Sequence, residues 1–191
     1  MTSPSIVRYA SILSTPWKNG RGVTRNVCDD LTEQGDWSWR VSIAEISGEQ
    51  PYSSFPGVHR DQVALGPGAV RLSIDGEALV LDPEEVISFE GEASVLAEPE
   101  LEGFLDLNVM SRRDDWESET SVASPTESLI VPTDGHLVLV ALADSCVAAG
   151  HDLRRLDSVW CAGEHQLAHE RDPQVIAVSG RFVIARLTRR R

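Results

Sequence analysis

The chain has 191 residues, 41% of them hydrophobic. That is enough for one domain, or two small halves sharing a core, and too polar for a membrane protein. Thirty acids against seventeen bases leave a formal net charge of -13, and a surface of that sign repels phosphate backbones, which argues against nucleic acid as a partner. No apolar run is long enough to cross a bilayer, and "MTSPSIVRYASIL" lacks the pattern of a signal peptide, so the expectation is a cytoplasmic protein without membrane contact. The three cysteines, Cys28, Cys146 and Cys161, are odd in number and match no metal or redox spacing. Reduced thiols are expected, with a Cys146–Cys161 disulfide as the alternative.

In chain order, the first conspicuous stretch is "TPWKNGRGVTRN", residues 15 to 26. It combines Trp17, two glycines and the only lysine, Lys18, in a chain whose other bases are all arginine. "DDLTEQG" follows and supplies at most a helical turn. "WSWRVSIAEI", 37 to 46, alternates: Trp37, Trp39, Val41 and Ile43 fall on one face, and Ser38, Arg40, Ser42 and Ala44 on the other, as a half-buried strand requires. "SSFPGVHR", 53 to 60, is a polar loop with a Pro56-Gly57 turn. There Phe55 is expected to plug the core and Arg60 to cap it or reach a pocket.

"GAVRLSIDG" ends in Asp75-Gly76, a hairpin signal, and "EALVL" continues from it. "EVISFEGEASVLA" reads as strand, turn at Gly91, strand. "FLDLNVM", 104 to 110, places Leu105, Leu107 and Val109 on one face and Asp106, Asn108 and Met110 on the other. Residues 77 to 119 hold 14 acids against Arg112 and Arg113. The polar segment "SRRDDWESETSVASPTES", 111 to 128, reads as a connection between halves. Strands then resume at "SLIVP", "HLVLVAL", "DSVWCA", "QVIAVSG" and "RFVIARL", with "GHDLRRLD" offering another helical turn. Many short strands with turn residues between them predict an all-β sandwich or barrel with little helix. A split near residue 115 predicts two barrels side by side.

Metal chemistry is poorly supported. His165 and His169 are four apart but have no third ligand close in sequence, and no HxH pair is followed by a Glu. No metal site and no cofactor are expected. A G-x-S-x-G elbow, a P-loop and a Rossmann fingerprint are all absent, and Cys28 precedes two aspartates, which disfavour a thiolate. What remains is a polar set: Lys18, Asn19, Arg25, Arg40, Ser42, Asp106, Asn108, Arg112 and Arg113. An arginine beside strand tryptophans needs a carboxylate partner or an anionic ligand. Two accounts stand level: an internal Arg40–Asp106 salt bridge or a wet outer face on one side, and a ligand pocket on the other.

The motifs "TPWKNGRGVTRN", "WSWRVSIAEI", "YSSFPGVHR", "GAVRLSIDG", "SFEGEA" and "DLNVMSRR" follow the order and spacing of the HutD/Ves family, which the chain resembles from about residue 12 to residue 113. Three positions depart from the family pattern: Arg21 replaces a glycine, His59 an aspartate, and Asn26 an acid. The resemblance implies a bicupin, a single compact unit over 1–191 with two β-barrels. Residues to about 115 carry most motifs, and those from about 116 complete the second barrel. It also implies a link to histidine utilisation or stress response. On this reading the opening loop lines a pocket. Trp17 is an apolar wall, Lys18 and Arg25 supply charge, and Asn19, Arg40, Ser42, Asp106, Asn108 and Arg112 complete a ligand-binding set.

The leading expectation is a binding protein for a small carboxylate, regulatory or accessory to histidine catabolism or stress response; a homodimer is compatible with it. The alternative is a metal-independent cupin enzyme, an isomerase or lyase using Asp106 or Glu45 as base. A third is an interaction protein with a vestigial pocket. A perturbed, paired carboxylate facing the pocket favours the enzyme. Basic and amide groups without a free base favour binding.

Overall fold

The structure is a computed structural model. It describes residues 3–17, 19–31, 35–163 and 174–191. Among these the helical content is one 3-10 turn, Tyr9–Ser11, and the rest is strand and loop. The all-β expectation follows from the period-two pattern and holds throughout. Among the described residues no helix is long and apolar enough to cross a membrane. The strands lie in separate sheets within two compact units, Leu13–Asp114 on the one hand and Met1–Ile12 with Asp115–Arg191 on the other. No closed barrel is formed among the described residues.

In the unit Leu13–Asp114, a six-stranded sheet runs in the order Ser14–Pro16, Gly22–Asp29, Trp39–Ile46, Phe104–Arg112, Val58–Gly66, Val86–Glu90. A four-stranded sheet runs Gln50–Pro51, Val95–Pro99, Val70–Ile74, Glu77–Leu81. The core draws Ile46, Ala64, Phe89 and Phe104 from the first sheet and Val70, Leu72, Leu81, Val95 and Ala97 from the second. Asp75 (φ 49°) and Gly76 (φ 89°) both take left-handed backbone between the paired strands, which is what a two-residue hairpin loop of the primed type demands.

The other unit holds a five-stranded sheet, ordered Ser5–Val7, Ser158–Ala162, Gly135–Ala141, Phe182–Arg189, Trp116–Ala123, with smaller two- and three-stranded sheets. Two segments differ from the sequence reading. The acidic connection contains a strand, Trp116–Ala123, paired along its length with Phe182–Arg189. Its acids alternate: exposed Glu117 and Glu119 stand opposite Thr188 and Arg186, while Trp116 is buried with Arg189 over its ring at 5.7 Å. A high acid content therefore hides a period of two whose other face is covered. In "GHDLRRLD", His151–Leu153 is a strand paired with Cys146–Ala148, not a helical turn. All three cysteines are buried free thiols. Burial raises the pKa of Cys28, with Asp29 adding to it, and raises Cys161 to about 11.

The first residues join this unit through Asp157. Arg8 Nη1 donates to Asp157 Oδ2 at 2.7 Å, the Tyr9 N–H to Oδ1 at 3.0 Å and the Arg154 N–H to Oδ2 at 3.1 Å. Burial by itself would raise this carboxyl. The three hydrogen bonds and the Arg8 charge outweigh it and hold Asp157 below the usual carboxylate range. We expect Asp157→Ala to cost about 1–3 kcal/mol, the penalty for orphaning its donors, and to speed amide exchange in Ser5–Val7 more than in Gly135–Ala141, as mass spectrometry of exchanged fragments would show.

Candidate functional site

The polar set is organised by cross-strand register. In the central strands of the six-stranded sheet, Arg40, Met110 and Arg60 stand opposite one another, then Ser42, Asn108 and Gln62, then Ala44, Asp106 and Ala64. Directly paired residues share a face, so these nine side chains form three rows on one face. Asn26 continues the middle row from Gly22–Asp29. Burial deepens along the face, from half-buried Arg40 and Arg112 to Arg60 at 7%, Asn108 at 4% and Asp106 at 0% exposure.

Arg60 is the hub. Its Nε and Nη2 donate to Asn108 Oδ1 at 2.8 and 2.5 Å, its Nη2 lies 3.9 Å from Asp106 Oδ2, and its guanidinium sits 4.4 Å from the Tyr52 ring and 5.3 Å from that of Phe89. The Tyr52 hydroxyl donates to Asp106 Oδ2 at 3.3 Å and accepts from Gln62 Nε2 at 2.8 Å. Burial lowers the Arg60 pKa against the support of Asp106, and raises Tyr52 well above its ordinary value. Burial also lifts Asp106 from 3.8 to about 6, although Arg60, Asn108 and Tyr52 all favour its charged form. Desolvation wins because the carboxylate has lost its water on every side.

Arg40 is held differently. Its guanidinium packs 4.9 Å from the Trp37 ring and 5.7 Å from that of Phe55, and its Nη2 donates to Met110 Sδ at 3.5 Å. Burial lowers its pKa, the Arg60 charge lowers it further, and Asp29 opposes both. Asp29 forms no ion pair with it, because its oxygens accept from Leu31 N–H and the Asn26 amide. Arg112 shares the Trp37 ring at 5.6 Å and donates from Nε to the Trp37 carbonyl at 3.4 Å. Three buried polar atoms on this face have no hydrogen-bond partner among the described residues: Arg40 Nε, Gln62 Oε1 and Asp106 Oδ1.

The structure sorts the sequence-derived residues as follows. Arg40, Ser42, Asp106 and Asn108 share the face, with Arg112 at its shallow end. The arginine that reaches Asp106 is Arg60, not Arg40. Trp37 precedes its strand, which begins at Trp39, so it leaves the alternation and stacks on Arg40 and Phe55 (6.1 Å between rings); Phe55 belongs with that cluster. Arg25 lies on the opposite face and pairs with Glu45 at 3.6 Å. Asn19 ties its own turn, accepting from Arg21 N–H and donating to Gln50 Oε1 at 3.3 Å. Trp17 donates from Nε1 to Thr24 Oγ1 at 2.7 Å and covers Gly22, where a Cβ would stand 2.9 Å from the indole. Arg113 clamps Glu90, Glu92 and the Val58 carbonyl. Lys18, His165 and His169 lie outside the described residues. Among the described residues no three His, Cys, Asp or Glu side chains gather as a metal site would need.

Sequence reasoning missed Tyr52 and Gln62 and left Arg60 unassigned. "VHRDQVALG" groups its polar residues at 59–62 and its apolar ones at 63–65, so it carries no period of two; the pairing with Phe104–Arg112 is what sends Arg60 and Gln62 to the Asn108 face. Tyr52 leaves no periodic trace either, because it follows a two-residue strand and arrives by tertiary packing.

Asp106 also sets a pH dependence. Its folded pKa is above its unfolded one, so the folded state keeps a proton that the unfolded state releases between about 4 and 6. Stability is therefore lost as pH rises through that window, by about 3 kcal/mol for a shift of roughly two units. Asp106→Asn, which keeps the shape without the charge, is expected to be more stable than the natural protein at pH 8, on the order of 1–3 kcal/mol, with the gain vanishing below pH of about 4. Urea titrations at both pH values check it.

A profile of the HutD family matches residues 9–178. Protein Ves of Citrobacter koseri is 31% identical over 170 residues, covering 84% of this chain and 86% of that protein. The solved structure of HutD from Pseudomonas fluorescens superposes with a TM-score of 0.88 at 24% identity, covering 99% of this chain and all of the other. A cupin 2 conserved barrel domain protein from Leptotrichia buccalis gives a TM-score of 0.60 at 8% identity over the whole of this chain and 98% of that one, so the fold is cupin-like. Its sequence motifs and these matches agree: the chain belongs to the HutD family.

Proposed function

We propose that the polar face of the unit Leu13–Asp114 binds a small carboxylate, and that the protein is a regulatory or accessory factor in histidine catabolism or stress response rather than a catalyst. The observation that carries the reading is Arg40. Its guanidinium is removed from much of the water, pressed against Trp37 and Phe55, repelled by Arg60, and left with a buried Nε that donates to nothing among the described residues. A guanidinium in that state calls for an anion. Arg112 on the same indole adds positive charge at the shallow end of the face. Lys18, assigned from the sequence, is the further cation of this proposal. The cupin-like neighbours and family membership support a barrel in each unit and the place beside histidine utilisation.

A second reading is favoured by one observation, the raised pKa of Asp106. A carboxyl poised near 6 with a free oxygen is suited to proton transfer, which supports a metal-independent isomerase or lyase with Asp106 as base. Glu45 does not fit that role, since it lies on the opposite face beside Arg25.

The two readings differ in the sign of their pH dependence. If the site only binds, ionising Asp106 repels an incoming carboxylate, so affinity falls as pH rises past about 6. If Asp106 is a base, turnover rises through the same window. Calorimetric titration with formate, acetate and propionate at pH 5 and pH 8 is expected to show the first behaviour. Arg40→Ala is expected to weaken binding by about 1.5–3 kcal/mol and Lys18→Ala by roughly 1–3 kcal/mol, the range for lost charged hydrogen bonds. Absence of heat and of any melting shift with all three acids would remove the carboxylate reading.

A further inference from the structure

Most polar atoms on the face already have partners. Asn108 Oδ1 accepts twice from Arg60. Tyr52 gives its hydroxyl hydrogen to Asp106 Oδ2, so its oxygen accepts from Gln62 and the amide orientation is set: Nε2 points at Tyr52 and Oε1 points away. Among the described residues this leaves one buried donor on the face without a partner, Arg40 Nε, and two such acceptors, Gln62 Oε1 and Asp106 Oδ1. Gln62 and Asp106 are each 0% exposed. Buried polar atoms of this kind are costly to leave unmade.

The donor and the acceptors occupy different rows. Arg40 is in the shallow row, Gln62 in the next, and Asp106 one row deeper. Successive rows are about 7 Å apart along the strands. A carboxylate satisfies Arg40 but has no hydrogen to offer Gln62 or Asp106. Set against Asp106, a second carboxylate would meet a like charge. A hydroxyl or amide N–H carries one hydrogen and answers one of these acceptors.

Resting on the carboxylate reading, we propose that the ligand is a bifunctional acid: a carboxylate held by Arg40, and, a short spacer away, a hydrogen-bond donor that reaches Gln62 Oε1 or Asp106 Oδ1. Specificity then resides in the acceptors. A site that hydrogen-bonds a donor discriminates strongly against the analogue lacking it, because the buried acceptors stay unpaired. An apolar acid of the same length leaves both oxygens unanswered.

The test uses the full-length chain and matched acids at pH 8: propionate with 3-hydroxypropionate, butyrate with 4-hydroxybutyrate and 4-acetamidobutyrate, pentanoate with 5-hydroxypentanoate. At the spacer that fits, the donor-bearing acid is expected to bind roughly ten- to a hundredfold more tightly than its parent. Whichever of Gln62→Met and Asp106→Asn removes the engaged acceptor is expected to shrink that ratio, with melting curves confirming that both variants fold. Gln62→Met keeps the length and removes the acceptor, so it serves should Asp106→Asn perturb Arg60. Donor-bearing acids binding no better than their parents at every spacer would overturn the inference while leaving the carboxylate reading intact. So would a preference that survives both substitutions. If none of the acids binds at pH 8 or at pH 5, substituted or not, the carboxylate reading falls and takes this inference with it.

Discussion

The polar face exists because three adjacent antiparallel strands hold one register. Trp39–Ile46, Phe104–Arg112 and Val58–Gly66 align so that Arg40, Met110 and Arg60 share a row. Their opposite face carries Trp39, Val41, Ile43, Val63, Leu107 and Val109, all essentially inaccessible. A slip of one residue would exchange the faces and drive two arginines and a carboxylate into the apolar layer. The apolar set therefore enforces the alignment, and the polar set inherits it. Every distance around Arg60 depends on that inheritance.

Electrostatically the face is underneutralised. Arg60 has Asp106 near it, while the side-chain contacts of Arg40 and Arg112 among the described residues are aromatic rings, a thioether and a carbonyl, with Asp29 acting on Arg40 through its charge alone. The aromatic contacts supply attraction without discharging the guanidinium. Asp106 is the reverse case, a carboxylate whose arginine is too distant at 3.9 Å to repay its desolvation. Groups held in this condition are a poor choice for stability alone, which is the usual mark of a surface shaped for something else.

Much of this was legible in the sequence, for a physical reason. A strand with one covered face writes its orientation into alternate positions, so "WRVSIAE" and "DLNVM" gave the faces of Arg40, Ser42, Asp106 and Asn108 correctly. Alternation says nothing about which strands are neighbours. That is why Arg40 stood as the partner of Asp106 when Arg60 holds that place, and why Arg25 was grouped with a face it does not share. Trp37 misled because the pattern ran two residues beyond the strand that produced it. The stretch Trp116–Ala123 misled through composition, since its acids obscured the alternation of Trp116, Ser118, Thr120 and Val122. The loop of Trp17 and Asn19 was recognisable by its residues, yet its local bonding, indole to Thr24 and amide to Arg21, depends on turn geometry that no periodicity encodes.

The bond between Asp157 and the residues around Arg8 bears on how the chain comes into being. Ser5–Val7 are made some hundred and fifty residues before their partner strand, Ser158–Ala162. Everything in Leu13–Asp114 is synthesised between the two. On a ribosome adding about 5–20 residues each second, the leading strand must wait on the order of ten seconds for its place. The unit built from segments on either side of Leu13–Asp114 can be completed only after the unit between them has been made, so the order of assembly is written into the connectivity.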